Sequence, residues 1–274
     1  MKKEGPADWA TLWRDLASRD LQASDEGAAE MVERWRKLAR RLDAEGEATP
    51  DPLLEHILGL MTPDLTVLDI GAGIGRWSLP IAGKARRVTA VEPLRGMRQV
   101  LAERAAGRGI ANLDVVDAPW LTVELPPHDI VIAAHATYTT PDLLGFVRKM
   151  EGCARRICYL ALRLPAHDGV IGELSQRIHG LWHDSPNFIV GYNLLLSAGL
   201  YPSVLVERRP VRHWVDLSLE AAVVRARRHL HLADDRHDPT IREVLFRRLT
   251  RVDQGYRWPD CMRSTLIWWH PPGC

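Results

Sequence analysis

The chain has 274 residues, 46% of them hydrophobic, and 36 Lys+Arg against 35 Asp+Glu give a formal net charge of +1. That composition can bury one enlarged core or two small ones, and near-neutrality supplies no global field for nucleic acid or an anionic membrane. No stretch approaches the ~20 apolar residues of a membrane-spanning helix. The four cysteines, Cys153, Cys158, Cys261 and Cys274, form no CxxC pair and no His spacing completes a zinc set. The opening MKKEGPADWATLW lacks a sustained apolar leader core. A soluble cytoplasmic protein with reduced thiols is expected.

Residues 7–45 place Trp9, Leu12, Trp13 and Leu16, then Met31, Trp35, Leu38 and Leu42, at helical spacing with charge on the other face. Two amphipathic helices separated near Ser24–Gly27 are predicted, as an N-terminal cap over residues 1–50. Packing against the sheet is the ordinary use of such tryptophans. Asp51 and Pro52 open another helix, with Pro52 in its first turn. From Thr66 the runs TVLDIGA, RVTAVEP, NLDVVDA, HDIVIAAH and RRICYLAL alternate with helical segments at 75–83, 94–107 and 141–152. Short Val- and Ile-rich runs joined by helices predict a parallel α/β sheet with right-handed crossovers. Pro80 should kink or shorten the helix that contains it.

After Leu162 the pattern loosens. SPNFIVGYNLLLSAG predicts a helix with Ser185 as N-cap, Pro186 at N1 and Gly199 closing it. A strand around Tyr201–Arg209 follows, then a long helical region over about 217–255 and the terminal strand STLIWWH. The core thus spans residues 51–274, with helical insertions at about 163–185 and 217–255.

The turn Gly71-Ala72-Gly73-Ile74-Gly75 lets a ligand approach the backbone closely. The dinucleotide fingerprint GxGxxG would place its third glycine at Arg76, which is too large for close helix–strand packing, so a nicotinamide-linked oxidoreductase is disfavoured. Asp69, two residues before the turn, lies outside that fingerprint. The GxGxG spacing preceded by Asp-Ile resembles motif I of class I S-adenosylmethionine (SAM)-dependent methyltransferases. Three further runs agree in order: VTAVEP with Glu92, LDVVDAPW with Asp117, and HDIVIAAHATY. The resemblance covers about residues 50–162. It implies a Rossmann-like, seven-stranded, mostly parallel sheet with helices on both faces, and SAM as cofactor.

On that resemblance, the Glu92 carboxylate suits the ribose hydroxyls and Asp117 the adenine amine. The Ala118 amide donates to a ring nitrogen, and Pro93, Leu94 and Trp120 offer apolar surface to the adenine. Gly71, Ala72 and Gly73 lie against the methionine part, with Asp69 orienting the turn or the amino group.

The exit of the fourth strand reads 133-AAHATYTT-140, which is not the NPPY-type sequence of enzymes that methylate amino groups of bases and glutamine. His135, with an ordinary pKa near neutrality, is a candidate general base beside the methyl group. The alternative is that it only packs or hydrogen-bonds. Tyr138 is a candidate wall or orienting hydroxyl. The polar segment 163–193, with His167, Asp168, His179, His183, Asp184, Asn187 and Asn193, suggests an acceptor pocket or lid. His179 and His183 could share one helix face, but a metal would need a third ligand, and no metal is expected. The basic run Arg225–Arg228 is read as a solvated face.

The leading reading is a methyltransferase for a small-molecule acceptor, resembling bacterial enzymes of the broad type 11/12 kind. Extended helical parts would also fit a large acceptor such as a tetrapyrrole or corrinoid. RNA or protein methylation is the runner-up, and near-neutral charge counts against a large RNA footprint. A SAM-binding protein without catalysis is the third reading. The terminal STLIWWH is either an inner strand or part of a homodimer contact.

Overall fold

The structure, a computed structural model, describes residues 8–22, 33, 35–40, 51–208, 214–259 and 262–272. In chain order its elements are α1 (Trp9–Gln22), α2 (Pro52–Leu58), β1 (Thr66–Ile70), α3 (Ser78–Ala82), β2 (Arg87–Val91), α4 (Arg95–Gly107), β3 (Leu113–Val116), β4 (His128–Ala134), α5 (Leu143–Cys153) and β5 (Ala154–Pro165). Then come α6 (Val170–His179), α7 (Phe188–Ser197), β6 (Ser203–Val206), β7 (Val215–Asp216), α8 (Leu219–His229), α9 (Asp238–Arg248), β8 (Thr250–Val252), β9 (Gly255–Arg257) and β10 (Met262–Trp269). Residues 35–40 are also helical. The predicted break near Ser24–Gly27 lies outside the described residues.

Seven strands form one sheet in the order β3-β2-β1-β4-β5-β10-β6. The first five run parallel to their neighbours, and β10 lies antiparallel between β5 and β6. STLIWWH is therefore an inner strand. Successive side chains of a strand point to opposite faces, and the two cores divide accordingly. Leu68, Ile70, Val131, Ala133, Leu160 and Leu162 pack on one face with α1, α5 and α7. Val67, Val88, Ile130, Ile132, Tyr159 and Ala161 pack on the other with α2 and α3. Burial on both faces explains why these strands read as unbroken apolar runs.

Asp51 caps α2 by accepting from the Leu54 N–H at 3.1 Å, with Pro52 at its start. The predicted helix 75–83 is shorter, Ser78–Ala82, with turns before it. The N–H groups of Leu79 and Ile81 donate to Gly75 and Trp77 carbonyls. Pro80 between them has no N–H to offer, which interrupts the ladder. Gly199 closes α7 in the left-handed region, φ 81°. The cap at its start is Asn187, not Ser185. The Asn187 side-chain oxygen accepts from Ile189 N–H (3.0 Å) and Val190 N–H (3.3 Å). Asn187 therefore satisfies two of the open N–H groups.

The region predicted as one helical stretch over 217–255 is instead two helices, α8 and α9, followed by the short strands β8 and β9. With β7 these strands form a second, three-stranded sheet. Its apolar signal is local, and period alone does not tell a short strand from a frayed helix end. Val170, Ile171 and Leu174 of α6 pack with Ala222, Val223, Ala226, Ile241, Val244, Leu245 and Trp258. The two predicted insertions thus share one core. Asp216 ties that lobe together, accepting from both Arg225 Nε and Nη2 (2.8 and 2.7 Å for the shortest to each oxygen) and from Trp258 Nε1 at 2.8 Å.

Candidate functional site

The carboxyl ends of β1, β2 and β4 open into a cavity of about 940 Å³. Its wall begins with the glycine turn. Gly71, Gly73 and Gly75 all adopt positive φ (68°, 57° and 81°), which glycine accepts without penalty. A Cβ on Gly71 would lie 2.5 Å from Ala136 Cβ, so this glycine lets β1 meet the exit of β4. A Cβ on Gly73 would meet nothing within 4 Å, so this position faces open space at the cavity.

Two buried acids form the cavity floor. Glu92 Oε2 accepts from Gly73 N–H and Oε1 from Leu94 N–H, both at 2.8 Å. Burial nevertheless raises its pKa against those bonds and against Arg98. Asp69 is 2% exposed and accepts from the Ser78 hydroxyl at 2.5 Å. Its pKa is pushed up to about 7, first by burial and then by the charge of Glu92. The floor thus holds two acids whose burial favours the protonated form, and a bound cation would favour the ionised one.

Ala72, Pro93, Leu94, Trp120 and His135 also line this cavity. Asp117 and Ala118 follow β3 at its rim but are not part of the lining. The Asp117 carboxylate is 69% exposed and pairs with Arg98 Nη2 at 2.5 Å. Several wall residues carry no sequence motif. Trp35 and Leu38 come from the N-terminal helical segment, and the Trp35 Nε1 is buried with no hydrogen-bond partner among the described residues. Arg76, the residue too large for a dinucleotide turn, pairs with Asp51 at 2.9 Å on the cavity wall. Glu207, just after β6, and Arg263 and Ser264 of β10 arrive more than a hundred residues after the glycine turn. Only strand pairing could find them, because Ser264 is set opposite Arg163 by the antiparallel register.

His135 sits at the exit of β4 with φ 57°, an uncommon conformation for a non-glycine residue. Its Nδ1 is 2.6 Å from the Tyr138 hydroxyl, and its Nε2 is 3.3 Å from Ser264 Oγ. Tyr138 Oη also accepts from the Arg163 N–H at 2.9 Å, and the Arg163 guanidinium lies over the Tyr138 ring. Burial, then Arg163 and Arg76, push the His135 pKa down to about 4. At neutral pH His135 is an uncharged, hydrogen-bonded imidazole, a better orienting group than proton sink.

The other polar segment is not one site. His179 Nε2 lies 3.1 Å from the Leu230 carbonyl. His183 instead lines a second cavity of about 630 Å³, next to Asp184 and His229. Asn187 is a helix cap and Asn193 Nδ2 donates to the Ile189 carbonyl. Arg225, read as solvated, is engaged by Asp216.

A sheet with six strands running one way, one antiparallel strand inserted next to last, and a ligand cavity over a glycine turn and a strand-end acid is the class I methyltransferase architecture. Residues 67–156 match the family model described as a methyltransferase domain. Over those residues the chain is similar to methyltransferase domains, a class whose cofactor is SAM. The YcgJ protein from Bacillus subtilis aligns with 80% of this chain and 97% of its own, at 18% identity and TM-score 0.53. A phosphoethanolamine N-methyltransferase 2 from Haemonchus contortus, solved with S-adenosylhomocysteine, aligns with 80% of this chain and 51% of its own, at 13% identity and TM-score 0.52. A probable ribosomal RNA small subunit methyltransferase A from Pyrobaculum aerophilum is 31% identical over 47% of this chain and 50% of its own length. The chain spans less than two thirds of the length of the curated relatives it matches.

Proposed function

We propose that this chain transfers the SAM methyl group to a small-molecule acceptor. The observation that carries the reading is the cavity at the carboxyl edge of the sheet, which gathers the glycine turn, Asp69 and Glu92 with His135. The residues fit the cofactor. Each Glu92 oxygen accepts one backbone N–H and keeps a further lone pair for a ribose hydroxyl. The open face of Gly73 admits the methionine part, and the Asp69 carboxyl suits its ammonium. Trp120 and Leu94 supply apolar wall for the adenine, and Asp117 with the Ala118 amide would reach its edge from the rim. When bound, SAM supplies an electrophilic methyl on a sulfonium. The chain's own contribution is alignment and exclusion of water. His135 and Tyr138 act as a coupled hydrogen-bonding pair that orients the acceptor.

RNA as acceptor draws support from the ribosomal RNA methyltransferase relative. Against it, four arginines of α8 and α9 pair with acids: Arg242 with Glu220, Arg247 and Arg248 with Glu173, and Arg225 with Asp216. Paired arginines are poor phosphate ligands. A cytoplasmic location is part of the proposal, and no described helix is long and apolar enough to cross a membrane.

The test is calorimetric titration with S-adenosylhomocysteine on wild type, Glu92→Ala and Glu92→Gln, with NADH as control. Binding to wild type is expected, weakened about 100-fold in Glu92→Ala by loss of charge-assisted hydrogen bonds. A folded protein that ignores S-adenosylhomocysteine would sink the reading. Given binding, labelled SAM and a panel of small molecules separate an enzyme from a non-catalytic binder.

A further inference from the structure

The second cavity shares neither the glycine turn nor the acids of the first. It lies between the exit of β5, α6 and the small sheet, walled by Val170, Ile171, Trp182, Ile189, Trp214 and Trp258. Trp214 and Arg263 line both cavities, so the two adjoin there. An apolar cleft with a few convergent polar groups is the usual form of a small-molecule site.

Its polar centre is a buried pair. The Asp184 carboxylate is 8% exposed and lies 2.9 Å from His229 Nε2. Burial alone would push the Asp184 pKa up, but the His229 bond and nearby Arg163 hold it below the ordinary value. An ionised carboxylate only accepts, so His229 Nε2 carries the proton. In the neutral imidazole Nδ1 is then an acceptor. No described residue hydrogen-bonds Nδ1. His183, beside the pair, is held neutral by burial. In that tautomer the ligand meets an acceptor nitrogen and indole faces. That chemistry suits a hydroxyl on a ring system better than a cation, because the Asp184 charge is already engaged by His229.

We infer that this cavity binds the body of the methyl acceptor, a largely apolar, ring-bearing molecule with a hydroxyl that donates to His229 Nδ1. The end to be methylated extends past Trp214 and Arg263 toward the cofactor cavity. This inference rests on the methyltransferase reading above.

The probes are 2-naphthol and 2-methoxynaphthalene, which share a ring system but differ in the donor. Their binding is followed by calorimetry with S-adenosylhomocysteine present. Wild type should bind 2-naphthol about tenfold more tightly than the methoxy compound, the range of one hydrogen bond. His229→Lys keeps a donor toward Asp184 and carries no acceptor. It should erase that preference, whereas a merely structural role for His229 predicts no change. Ile171→Trp, which fills the cavity, should abolish binding of both probes, with S-adenosylhomocysteine affinity as the check that the variant is folded. Equal binding of the two probes, an undiminished preference in His229→Lys, or no binding of 2-naphthol to wild type would each overturn the inference. Failure of S-adenosylhomocysteine to bind would sink the methyltransferase reading instead, and the probe titrations without it are judged by the same criteria.

Discussion

Asp69 is where local chemistry gives the sharpest expectation. A carboxyl with pKa about 7 is part-protonated at neutral pH. A ligand that carries a cation prefers the ionised form, so its binding below pH 7 must expel a proton. Affinity for SAM should therefore rise with pH, by about tenfold between pH 6 and pH 8. Glu92, the other raised acid on the floor, titrates toward the same side, whereas His135 with its pKa near 4 is silent in that window. Asp69→Asn should flatten the profile, and a flat wild-type profile would show that Asp69 does not face the cation. The same shift has a sign for stability. The native state holds the Asp69 proton more tightly than the unfolded chain, so this group's contribution is full below the unfolded value near 4 and declines as pH rises toward 7.

Among the elements, α7 corrects the cap expected from the sequence. Ser185 and Asn187 are both good caps, and only the backbone decides which side chain meets the first free N–H groups. Asn187 is 1% exposed and serves two of them, while Ser185 Oγ reaches only Asp184, at 3.4 Å. Asn187→Ala should cost about 1–2 kcal/mol in urea unfolding, and Ser185→Ala clearly less. The reverse order would restore Ser185 as the cap. The glycine turn belongs to the same scale. It was legible because a strand-to-helix turn with three positive-φ residues writes itself as glycine, whatever surrounds it. The insertion hairpin β8–β9 was not legible, because three-residue strands are too short for a period to register.

For the whole molecule, α1 is part of the main core. Trp13 is fully buried, and its indole N–H donates to the Thr140 carbonyl at 2.9 Å. Thr140 lines the cavity over the glycine turn, so the N-terminal helix braces the exit loop of β4. A Cβ on Gly191 would come within 3.0 Å of the Trp13 ring, which shows how closely α7 approaches it. Trp13→Ala should destabilise the protein by about 3–5 kcal/mol through the cavity it leaves. A cost near zero in denaturant unfolding would mean that α1 is a detachable cap.

The sequence by itself determined the parallel α/β core, the order of its motifs and the acids at its strand ends, because these depend on chain-local periodicity and turn chemistry. Only the tertiary structure decided the rest. It set β10 between β5 and β6, and so brought Ser264 within reach of His135, 129 residues away. It lowered the His135 pKa through burial and two arginines distant in the chain, and it turned Asp117 toward Arg98 at the cavity rim. It also joined residues 170–174 and 222–258 around one core and left a cavity lined by the His229–Asp184 pair. Burial and field are sums over neighbours, and the neighbours exist only once the strands have paired.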